Sequence, residues 1–150
     1  MSHHPSVIKY DAESLVRVCR ELDVRLLVLF GSYAAGRPLP RQQSDLDLAV
    51  MPGYDTRYTL ETYVARLCPV FDNYSLDLVF LNRADPLFRY EIMRTALLLY
   101  GDRNDFFEYR AFAYRDFIDS EDLRALEENL FQKKMAFLCR QLSVPLGEAS

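Results

Sequence analysis

An α+β fold, with a small mixed β-sheet packed by helices and a helical C-terminal tail, is the class this sequence predicts. Three observations predict it. Short apolar runs with strand patterning alternate with amphipathic segments through the first hundred residues. Two of those runs carry aspartates, at Asp45, Asp47 and Asp77. The last third of the chain has helical periodicity throughout, the arrangement of an α+β lobe with its helices segregated.

In residues 11–22, Ala12, Leu15, Val16, Cys19 and Leu22 recur at three- and four-residue steps and predict an amphipathic helix. Residues 24–30, VRLLVLF, are apolar almost throughout and stop at Gly31-Ser32, as a central strand buried on both faces would. Gly36, Pro38 and Pro40 then mark a surface loop. From Asp45 to Val50 acidic and apolar residues alternate, so Asp45 and Asp47 share one face of a second strand. A helix is expected over 56–71, with Leu60, Val64, Leu67 and Phe71 in step, and a third strand over 75–81. Asp85-Pro86 reads as an N-cap with proline at the first helical position, opening a helix that Gly101 ends. Residues 104–142 are again helical and expected to split near Ser120, whose hydroxyl can cap a second segment. The expected division is a lobe over 1–103 and a helical tail over 104–150, within one domain.

Composition narrows the function. With 18 Lys+Arg against 22 Asp+Glu, a formal charge of -4 argues against stable DNA binding or tracking of a long polynucleotide, which needs clustered positive charge. Three widely spaced cysteines and two histidines near the N-terminus make no metal-ligand or disulfide pattern, so a reduced, cytoplasmic protein is expected. No apolar run approaches the ~20 residues of a membrane span.

The chemistry concentrates in one stretch. Gly31 lets backbone approach a ligand closely, and Ser32 adds a hydroxyl and an amide. If Tyr33 to Ala35 open a short helix, its free N–H groups point at the same spot, an arrangement that holds phosphate. Twelve residues separate Ser32 from Asp45. Asp45 and Asp47 bring two hard oxygen donors together, which suits Mg²⁺ when nucleotide phosphates supply further ligands. An aspartate inside the apolar run SLDLVFL costs several kcal/mol to bury unless paired or metal-bound. Beside the Asp45 and Asp47 strand, Asp77 would complete a three-carboxylate cluster able to bind a second metal or take a proton from an attacking hydroxyl. Pairing with an arginine is its structural alternative.

The stretch LFGSYAAGRPLPRQQSDLDLAV followed by LDLVFL resembles the DNA polymerase beta nucleotidyltransferase superfamily, over about residues 11 to 100. The short length and the segment from Asp85 to Phe117 are most similar to the minimal nucleotidyltransferases (MNT), the MntA-type antitoxins of HEPN toxin–antitoxin systems. The resemblance implies the polymerase beta-like nucleotidyltransferase fold, with ATP as co-substrate and two Mg²⁺ ions. It implies phosphate binding by Gly31 and Ser32, metal binding by Asp45, Asp47 and Asp77, and activation of an acceptor hydroxyl by Asp77. The implied reaction is transfer of AMP to a tyrosine of a cognate HEPN ribonuclease toxin, with pyrophosphate leaving. Two alternatives stand beside it: an antitoxin that neutralises by binding alone, and a nucleotidyltransferase for a small molecule such as an aminoglycoside.

Secondary candidates surround this set. Arg37, Arg41 and Ser44 lie in the loop between the motif halves, and Arg57 follows the second strand; each could reach a triphosphate. Phe106, Phe107, Tyr109, Phe112, Tyr114 and Phe117, with Arg110 and Arg115, would either pack the tail on the lobe or form a partner surface. A further stripe through Leu123, Leu126, Leu130, Met135 and Leu138 would dock internally or on another subunit.

Overall fold

The computed structural model describes residues 8–36 and 45–142, with the Asp122 side chain left aside. Asp11 opens the first helix, α1 (Ala12–Glu21), by accepting from the Glu13 and Ser14 backbone N–H groups. Burial of Leu15, Val18 and Cys19 fixes its inner face, and burial pushes the Cys19 thiol up to about 12. Strand β1 (Val24–Phe30) runs into a one-turn helix, α2 (Gly31–Ala34). Next come β2 (Leu46–Pro52), α3 (Leu60–Leu67), β3 (Leu76–Phe80) and a single 3₁₀ turn (Leu81–Arg83). Helix α4 (Pro86–Thr95), β4 (Leu97–Gly101) and α5 (Arg103–Gln141) complete the described chain.

The four strands form one mixed sheet in the order β3-β2-β1-β4. β1 pairs antiparallel with both β2 and β4, whereas β2 and β3 run parallel, joined by the crossover through α3. Strand alternation sends Leu27, Leu29, Leu46, Leu48 and Leu78 to the face covered by α1 and α3, where Leu15, Leu67 and Phe71 meet them. It sends Leu26, Val28, Ala49 and Met51 to the other face, against Ile92, Met93, Phe106 and Ala113. β1 and β2, nearly continuous in buried residues, are the inner strands, as the apolar run 24–30 predicts.

Three expectations need correction. The helix opened by Asp85-Pro86 stops at Thr95, not Gly101, because LLLYG pairs with the free edge of β1. The helix expected over 56–71 starts only at Leu60, since Thr59 accepts from the Thr62 N–H and caps it there. No break falls at Ser120: its hydroxyl turns back to the Phe117 carbonyl at 3.0 Å inside a continuous α5, rather than capping a new helix. For Arg110, where packing on the lobe and a partner surface are both open, the structure shows packing. The arginine donates to the Met93 and Ala96 carbonyls at 2.9 and 2.8 Å, closing the C-terminus of α4, and burial lowers the pKa of its guanidinium.

The chain divides into two compact units, Met1–Tyr114 and Arg115–Ser150. The opening turns of α5 belong to the first, where Phe106 is buried and the Tyr109 hydroxyl donates to the Leu81 carbonyl, while Phe107, Phe112 and Tyr114 remain exposed. Among the described residues no helix is long and apolar enough to cross a membrane.

Candidate active site

The acidic residues gather at one end of the inner strands. In the β1/β2 register Phe30 stands opposite Asp47, and in the β2/β3 register Asp47 stands opposite Asp77. Phe30, Asp47 and Asp77 therefore form one row across three strands, on the α4 side of the sheet. Adjacent strands lie about 4.8 Å apart, which sets the spacing of the two carboxylates' backbones. Asp45 immediately precedes β2 and is exposed.

Gly31 follows Phe30 with φ +76°, a conformation that side chains with a Cβ rarely adopt. It has a second reason to be glycine. A Cβ there would collide with the Asp47 carboxylate, so the Gly-Ser half of the motif and the Asp-x-Asp half are in direct contact. α2 starts at that contact with no side chain capping it; Ser32 is half-buried in its first turn. The opening N–H groups of such a turn have no acceptor within the helix.

Asp47 is half-buried, and burial raises the pKa of its carboxyl; the charges of Asp77 and then Asp45 raise it further. Among the described residues none of the three carboxylates accepts a hydrogen bond or pairs with a cation. Three acids held together without compensation favour a cation, and this donor chemistry suits a hard one. Among the described residues no three such side chains converge closely enough to hold a metal by themselves. Mg²⁺ takes only one or two carboxylates and completes its shell with phosphate and water, so the arrangement fits an ion that arrives with a nucleotide.

Asp77 also differs from expectation in burial. β3 is an edge strand and its aspartate is exposed, so it carries no burial penalty and needs no arginine partner. Arg57 is displaced more thoroughly. It is exposed beyond the far end of β2, one residue from Thr56, whose hydroxyl donates to Asp23 at the start of β1. Five residue steps along the strand, about 17 Å, separate Asp47 from Pro52, so Arg57 does not join the cluster. Arg37, Arg41 and Ser44 lie outside the described residues. The sequence reading missed an aromatic pair beside the acids: Phe30 meets Phe88 of α4 edge-on at 6.1 Å, with Phe88 exposed. The one available signal was that Phe30 directly precedes Gly31.

A glycine-led turn after an inner strand and an acidic pair entering the next describe a nucleotidyltransferase. Residues 13–105 match the polymerase beta, nucleotidyltransferase family, and the chain belongs to it. More particularly, the fold is similar to chains from solved toxin–antitoxin complexes. One, from a complex crystallised with AMP-PNP, is 22% identical with a TM-score of 0.62, over 83% of this chain and 98% of that chain. Another, from a tri-AMPylated Shewanella oneidensis HEPN toxin in complex with MNT antitoxin, is 20% identical with a TM-score of 0.56, over 83% and 95%. A third, from an MntA–HepT complex, is 20% identical with a TM-score of 0.55, over 83% and 96%. Among curated proteins no sequence match was found.

Proposed function

We propose that this nucleotidyltransferase transfers AMP from ATP to a tyrosine hydroxyl of a HEPN toxin and acts as its antitoxin. The observation that carries a nucleotidyl-transfer site is the uncompensated carboxylate of Asp47, pressed on Gly31 and raised in pKa first by burial and then by its two acidic neighbours. The likeness to chains from toxin–antitoxin complexes, one of them holding a tri-AMPylated HEPN toxin, supports the choice of partner.

In this reading Gly31 and Ser32 receive the β- and γ-phosphates, the glycine because no Cβ stands in the way. Arg37 and Ser44 add contacts to the triphosphate. Asp45 and Asp47, with Asp77, would hold two Mg²⁺ ions, which supply charge neutralisation at the phosphates when bound. Asp77, exposed on its edge strand, is open to a substrate hydroxyl and accepts its proton. The hydroxyl oxygen forms a bond to the α-phosphorus, the bond from that phosphorus to the bridging oxygen breaks, and pyrophosphate leaves with the electron pair.

The test is incubation with α-labelled ATP, Mg²⁺ and a HEPN-domain partner. Label on the partner tyrosine, lost in Asp45→Asn plus Asp47→Asn, is the expected result. No label from folded protein, together with neutralisation by the double variant at equal dose, would establish an antitoxin that acts by binding alone. Label on an aminoglycoside without any protein partner would establish a small-molecule enzyme.

A further inference from the structure

Beyond this site, the second unit has a surface that nothing described so far uses. Leu123, Leu126, Leu130, Phe131 and Phe137 are all more than half exposed on α5, and they lie on one side of it at helical spacing. Their exposure leaves a long apolar stripe uncovered. The charges flanking the stripe are sorted along the axis. Residues 115–128 carry six acidic side chains against two arginines, whereas residues 129–142 carry Lys133, Lys134 and Arg140 and no acid.

The sorting keeps Glu127 and Glu128 out of reach of the lysines that follow them on the same helix. Side chains on one helix meet at i+3 and i+4. Four residues beyond Glu127 and Glu128 stand Phe131 and Gln132, and Glu128 accepts from the Gln132 amide at 3.0 Å. Lys133 and Lys134 fall beyond that reach. Among the described residues Glu127, Lys133 and Lys134 form no ion pair.

An acidic half followed by a basic half is complementary to its own reverse. We propose that α5 docks on a second copy of this chain, antiparallel, so that each acidic half faces the partner's basic half over a shared apolar seam. A parallel pair would set acid against acid and base against base. Register and direction are thus set by charge, as in other paired helices, and adhesion by the stripe. This proposal does not depend on the catalytic reading.

Sedimentation of the full chain checks it. A species of twice 17.5 kDa is expected at tens of micromolar, weakening as salt rises. Leu126→Glu plus Leu130→Glu should weaken the dimer roughly 100-fold or more. Lys133→Glu plus Lys134→Glu should weaken it roughly tenfold or more. Mixing that variant with Glu127→Lys plus Glu128→Lys should restore a heterodimer, which a merely misfolded variant could not do. Direction is read from Cys139 in a Cys19→Ser, Cys68→Ser background: on oxidation an antiparallel pair keeps its two Cys139 thiols apart. A monomer at every concentration, a dimer indifferent to these substitutions, or a Cys139–Cys139 disulfide would each overturn the proposal. The same helix being covered only by a different protein would overturn it too.

Discussion

Each end of the inner strands presses an aspartate against a glycine, and the two ends differ in what surrounds the carboxylate. At one end a Cβ on Gly53 would collide with Asp23; at the other a Cβ on Gly31 would collide with Asp47. Asp23 is satisfied. Its carboxylate accepts from the Thr56 hydroxyl at 2.9 Å, and its carbonyl accepts the Gly53 N–H at 2.9 Å. Asp47 has no such donor among the described residues and instead faces two further acids. The same local packing thus serves two ends: one aspartate pins a turn, and the other keeps its charge available. Contact with a glycine does not distinguish a structural acid from a functional one, whereas its hydrogen bonds do.

The contrast is broken most sharply at Asp47. Asp47→Asn keeps the shape and removes the charge, so adenylyl transfer should fall at least roughly 10²–10³-fold while the fold is retained. Persistence of transfer in that variant would remove Asp47 from the site. Gly31→Ala should follow, with transfer down roughly 10²-fold from misplacement of the acid and stability down by about 1–3 kcal/mol from the positive φ. At the other end the order inverts. Asp23→Ala should cost about 1–3 kcal/mol, through the lost Thr56 bond and the left-handed backbone at φ 51°, with transfer unchanged. Denaturant melts paired with initial rates separate the two ends.

The smallest effect is a pH dependence. Folded Asp47 holds its proton to higher pH than the unfolded chain does, so across that window the folded state binds more protons and stability falls as pH rises. The Tm of wild type relative to Asp47→Asn should therefore decline as pH rises above about 4, the ordinary carboxylate value. A difference that stays flat would contradict the raised pKa that burial, with Asp77 and Asp45 beside it, gives Asp47.

Much of this contrast was legible in the residues. Asp45, Asp47 and Asp77 stand out because period-two alternation assigns faces before any pairing is known, and β2 and β3 formed where that pattern lay. What stayed hidden depended on contacts distant in sequence. Leu97–Gly101 has no glycine or proline between it and α4, so local pattern reads it as more helix; only the open edge of β1 makes it a strand. The exposure of Asp77 follows from β3 being an edge, which depends on strand order. Local pattern left packing and interface both open for Arg110, because the carbonyls it caps, Met93 and Ala96, are many residues upstream. The Thr59 cap that shortened α3 was visible in principle, as a threonine just ahead of Leu60.

The parallel pairing of β2 with β3 has a consequence for how this protein can change. Asp47 and Asp77 are thirty residues apart in the chain, yet they are opposite each other through ladder register alone. Everything between the two strands, the turn after Pro52, α3 and the turns after it, can lengthen or shorten while the acids stay paired. A slip of β3 by a single residue cannot be absorbed, because it turns Asp77 to the α1 and α3 side and puts leucine in its place. Tolerance of insertion and intolerance of slippage therefore coexist within one short segment. A library of α3 loop lengths, scored for transfer, would map the first property without touching the second.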